Sequence, residues 1–151
     1  MKTLPLSRAL SGALLAAALA APGLPALAHS YVFTLGPAPG ATHYFGVICS
    51  TDGGYETDHL YLQLQSLTPN APALSAQVVK GSVATNTTDA IGADAAPSPA
   101  SRTPGGNGLY QVLINKAGAG AVSFNVTVHC LDATGTQHTG TDGVVYQYQD
   151  R

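Results

Sequence analysis

Tryptophan is absent from this chain, and methionine occurs once, at the first position. Without tryptophan the chain lacks the largest aromatic for stacking on a sugar ring, and seven tyrosines are left for that role. Without an internal methionine there is no thioether for a Cu(I) site. Charge is scarce as well, at 9% of residues. Beyond residue 28 the bases are Lys80, Arg102, Lys116 and Arg151, against eight acids, for a formal net of −4. No basic cluster exists, so the electrostatic footprint of nucleic-acid binding is missing. An anionic membrane surface is disfavoured on the same ground. The G-x-S-x-G, P-loop and H-E-x-x-H patterns do not occur, so no catalytic residue is nominated and a non-enzymatic role is expected.

The first 28 residues differ from the rest. Lys2 and Arg8 are their only charges, and from Leu10 to Ala21 the chain is Leu and Ala with one Ser and one Gly. The break Pro22-Gly23-Leu24-Pro25 and the small-x-small triplet Ala26-Leu27-Ala28 follow. A basic start, a short apolar run and an Ala-x-Ala end are the parts of a secretory signal peptide. The run falls short of the ~20 residues needed to span a bilayer as a helix. The alternative is a retained anchor or a buried helix. The expectation is a signal peptide over 1–28 and a single periplasmic or secreted domain over 29–151, with no membrane span in the mature form. That mature chain has 123 residues, enough for one modest core.

Both cysteines, Cys49 and Cys130, lie in this part. An even count in an exported chain points to one disulfide, with two buried thiols as the alternative. The helical period is absent, and period-two alternation dominates. Strands are predicted over His29–Leu35, Thr42–Ser50, Asp58–Leu67, Leu74–Lys80, Ser82–Thr88, Gly108–Asn115, Ala121–Leu131 and Val144–Gln149. Leu60, Leu62 and Leu64 alternate with His59, Tyr61 and Gln63. Val122, Phe124, Val126, Val128 and Cys130 alternate with Ser123, Asn125, Thr127 and His129. Strand 42–50 has apolar residues on both faces, which suggests a central strand covered on both sides or partly so. Residues 89–107 read as a long loop, mobile or functional. About eight short strands separated by turns predict an all-β, antiparallel sandwich, jelly-roll or immunoglobulin-like.

The order of motifs resembles the bacterial pre-peptidase C-terminal type of domain. The resemblance rests on Pro39-Gly40 before Tyr44-Phe45, on Asp58-His59-Leu60-Tyr61-Leu62, on Gly105 to Val112 and on Gly118 to Val126. It implies a small sandwich with an extracytoplasmic accessory role, its partner an unidentified protein or small-molecule ligand. It carries no site residue. The cysteine pair, the strand after Cys130 and the lack of an attached enzyme depart from it.

All five histidines lie beyond residue 28. Cleavage after Ala28 would put the α-amine and imidazole of His29 at the new terminus. With a further histidine they would offer three nitrogens suited to Cu(II), an arrangement that resembles the histidine brace of copper-dependent polysaccharide monooxygenases. The partner candidates are His59 and His129, both on outward faces. The competing reading is a set of surface histidines and no cofactor. Asp52, Glu56 and Asp58 crowd one glycine-containing loop, which suits either Ca²⁺ or a solvated acidic turn; their spacing is not that of an EF-hand.

Overall fold

A computed structural model describes residues 29–149. The expected signal peptide, residues 1–28, lies outside them. Nine strands form two antiparallel sheets, with no helix among the described residues. In chain order they are β1 (His29–Leu35), β2 (Thr42–Ser50), β3 (His59–Ser66), β4 (Leu74–Lys80), β5 (Val83–Asp89), β6 (Ser101–Pro104), β7 (Gly108–Lys116), β8 (Val122–Leu131) and β9 (Gly140–Gln149). One sheet runs β1-β8-β3-β6 and the other β5-β4-β7-β2-β9. The antiparallel sandwich is as the alternation predicts.

The core fills the space between the sheets. Successive residues of a strand point to opposite faces, so the apolar half of each alternating strand is buried. Leu60, Leu62, Leu64, Val122, Phe124, Val126 and Val128 come from one sheet. Phe45, Val47, Leu74, Val78, Tyr110, Val112 and Ile114 come from the other. Cys49 on β2 is bonded to Cys130 on β8, with Cα atoms 5.5 Å apart, which clamps one sheet to the other. The bond closes a span of 81 residues, for which the chain-entropy model gives about 4–5 kcal/mol. His43 is fully buried between Phe33, Phe45 and Phe124, with its ring 4.1 Å from that of Phe33. Neither ring nitrogen has a hydrogen-bond partner, and burial lowers its pKa.

One expectation needs correction. The stretch 89–107 is not a structureless loop. Ser101–Pro104 pairs with His59–Leu62 as β6, and the chain before it bonds to β3 through Ala93 N–H to Ser66 O (2.9 Å) and Ser98 N–H to Leu64 O (2.7 Å). Alternation over four residues is too short a signal to set a strand apart from a Pro- and Ser-rich background. With β6 the strand count is nine, in keeping with the expected sandwich of about eight. The outward side of β2 is partly covered: Tyr44 and Ile48 face away from the core, with Ile48 37% exposed, while Gly46 between them is buried. β2 is central within its sheet, between β7 and β9, and the side chains of Tyr146 and Leu109 lie over Gly46 on its outer face.

Candidate functional site

Two outward regions hold side chains that the core does not account for. The first is the outer face of the five-stranded sheet. Cross-strand partners share a face, so register alone places Tyr44 opposite Leu113 on β7 and opposite Tyr148 on β9. The Tyr44 and Tyr148 rings are 6.0 Å apart and nearly parallel, at 16°. Tyr146 joins them, 5.5 Å from Tyr44 and 6.1 Å from Tyr148. The Tyr44 and Tyr146 hydroxyls are hydrogen-bonded at 3.1 Å, which raises the pKa of Tyr44 and keeps it neutral.

A bulge makes this grouping. The β2–β9 register shifts between Phe45 and Val47, and Val144 on the bulged strand adopts φ 59°. The left-handed region costs a non-glycine residue roughly 1–2 kcal/mol, and a β-branched side chain is rarely found there. Bulges re-aim side chains. Here Tyr146 is laid over Gly46, where an added Cβ would meet ring carbons of Tyr146 at 2.5 and 2.8 Å. The absent side chain of Gly46 is what gives the ring room to lie down.

The second region is one end of the four-stranded sheet. His129 on β8 lies opposite Tyr61 on β3, their rings 5.7 Å apart, and Arg102 on β6 stands over Tyr61. His138 reaches His129 from the segment after β8, edge to face at 4.5 Å. Burial pushes the His129 pKa down to about 4, with smaller contributions from His138 and His29. The ring is neutral near pH 7, and its Nδ1 has no partner.

The three histidines nominated as ligands do not converge. His29 lies opposite Val128, so the pleat turns it to the core side of β1, whereas His129 points outward. His29 nonetheless sits close enough to disfavour the charged form of His129. His59 is on the outward side but buried, its Nδ1 2.9 Å from Asp58 and its edge against Gly135. Among the described residues no three His, Cys, Asp or Glu side chains are arranged to hold a metal ion. The acidic loop is a tight turn in which Asp52 bonds to the backbone of Gly53 and Tyr55.

Sequence reasoning missed His138, which comes to His129 through the Leu131–His138 bridge that folds the following turn back onto β8. It also missed the tyrosine group. The available signal was Tyr146 and Tyr148 in alternation, with Tyr44 out of phase with the buried positions of β2.

The fold and these two regions define an all-β sandwich with one outward aromatic face. No family model, curated protein or solved structure matches the chain.

Proposed function

We propose that this protein is an exported, non-enzymatic binding or accessory module whose contact surface is the outer face of the five-stranded sheet. The observation that carries this reading is the outward-facing group of Tyr148 with the half-buried Tyr44 and Tyr146. Folding needs outward positions only to be compatible with water, yet these carry large aromatic rings, with Tyr148 67% exposed. Rings of this kind supply most of the contact energy where they occur in binding surfaces. The signal-like residues 1–28 and the disulfide support an oxidising, extracytoplasmic location. The accessory role implied by the resemblance to pre-peptidase C-terminal domains belongs to the same proposal. The test is N-terminal sequencing of the exported protein together with a panel of hydrolase substrates. A start at His29 and no turnover are expected; turnover that survives purification to homogeneity overturns the reading.

A second reading is copper binding at the mature N-terminus by His29 with His129. Its support is the closeness of the two residues, each with a buried, unpartnered Nδ1. The antiparallel register also points the backbone nitrogen of His29 toward the His129 end of β8. The opposed ring directions count against it. Calorimetry with Cu(II) on the processed protein and on a form with one extra residue before His29 decides it: equal affinities reject the brace.

A further inference from the structure

The outer face of the five-stranded sheet combines three properties. It is aromatic at one side, through Tyr44, Tyr146 and Tyr148. It is amide-bearing beside them, through Gln111 opposite Gly46 and Gln77 opposite Leu113. And it is almost free of charge: among the outward positions set by the register, Asp142 opposite Ile48 is the one carboxylate, and no Lys, Arg or His stands there. The Tyr146 ring lies against Gly46, half-buried beside Tyr44 and the well-exposed Tyr148.

We propose that this face binds a neutral polysaccharide, an inference that rests on the reading of this face as the contact surface. A sugar ring has a C–H-rich face that stacks on an aromatic plane, and equatorial hydroxyls around its rim. Flat tyrosine rings meet the first. Glutamine side chains, each offering two N–H donors and a carbonyl acceptor, meet the second. The lack of charge matches a neutral polymer, because neither partner then leaves an ion unpaired on desolvation. A polyanion would meet no cation here and a net-negative protein. Protein interfaces, by contrast, are enriched in arginine beside their aromatic residues, and this face has none.

The shape of the surface also bears on the polymer. A sheet face of five strands is broad and open, so an extended chain can cross it without threading a cleft. The tyrosines sit at the β2–β9 side and the amides toward β7 and β4, so the chain would stack on the former and hydrogen-bond to the latter.

The experiment uses the mature protein in pull-down and affinity electrophoresis against cellulose, chitin, xylan and starch, with polygalacturonate as the charged control. Binding to at least one neutral polymer and not to polygalacturonate is expected. Because no ion pair takes part, raising salt from about 0.05 to 0.5 M should change it less than about twofold. Tyr148→Ala and Tyr44→Ala should each weaken binding roughly tenfold, while Tyr148→Phe, which keeps the ring, should retain most of it. Gly46→Ala, which displaces the Tyr146 ring without removing a tyrosine, should weaken it too. Unfolding curves on each variant confirm that the sandwich is intact. Failure to bind any neutral polymer, or binding indifferent to the tyrosine variants, overturns the proposal. If sedimentation instead shows a dimer that Tyr148→Ala dissolves, the polysaccharide assignment falls while the face stands as a contact surface. If no partner of any kind depends on the tyrosines, both fall.

Discussion

The outer face of the four-stranded sheet carries paired hydroxyls, Ser30 with Thr127 and Thr34 with Ser123, each at 2.9 Å. The outer face of the five-stranded sheet carries Tyr44 and Tyr148 at the equivalent kind of cross-strand position. Both faces are built on strands that bury the same Leu, Val and Phe pattern underneath. The core therefore does not decide what stands on the outside. Short hydroxyl pairs satisfy one another, which suits a surface that only needs to remain in water. Large aromatic side chains at outward positions, Tyr148 the most exposed, suit a surface that meets something. A strained Val144 and a bare Gly46 are present only on the second face, and both act to place Tyr146.

That contrast can be broken at its base. Replacing both cysteines, Cys49→Ala with Cys130→Ala, removes the clamp between the sheets and should cost about 4 kcal/mol, read from urea unfolding. Both faces should then be lost together, since each depends on the same core. A comparable loss of about 2–5 kcal/mol is expected for Leu62→Ala, which opens a cavity under the hydroxyl-bearing face; its midpoint shift in the same assay checks it.

Acid should weaken the whole sandwich through two histidines, His129 on β8 and His43 on β2. The folded pKa of His129 lies near 4 and that of His43 is also lowered, each by burial. The unfolded chain titrates near 6.5 and so binds more protons than the folded one below that pH. Stability is therefore full above about pH 6.5 and falls as pH drops toward 4. His129→Gln should flatten that slope by on the order of 1 kcal/mol, below the full linkage value because the ring is half exposed. The unfolding midpoint measured from pH 7.5 to 4.5 tests this, and an unchanged slope refutes it.

The smallest effects are expected outside the core. Tyr148→Ala and Thr127→Ala should each change stability by less than about 1 kcal/mol. A larger loss for Tyr148→Ala would mean that its ring serves to hold β9 in the sheet, and the contrast between the faces would weaken accordingly.

Much of this was legible in the residues. Leu60, Leu62 and Leu64 announce a half-buried strand, because alternation is a property of a few consecutive residues and needs no partner to be seen. β6 was not legible, since four residues of Ser, Arg, Thr and Pro become a strand only when β3 offers its edge. His59 reads as outward and is outward, yet the turn before β9 covers it. Sequence parity tells which side of a sheet a residue takes, not what later folds over that side.

The amino-acid sequence by itself determined the strands other than β6, their inward and outward residues and the pairing of the only two cysteines, all of which follow from short-range alternation and simple count. Only the tertiary structure decided the strand order and the β2–β9 register. Those put Tyr44 against Tyr148 across more than a hundred residues of chain, while the Leu131–His138 bridge brings His138 to His129. The physical reason is that pleating is local, whereas which strand lies beside which is set by the burial of the whole set at once.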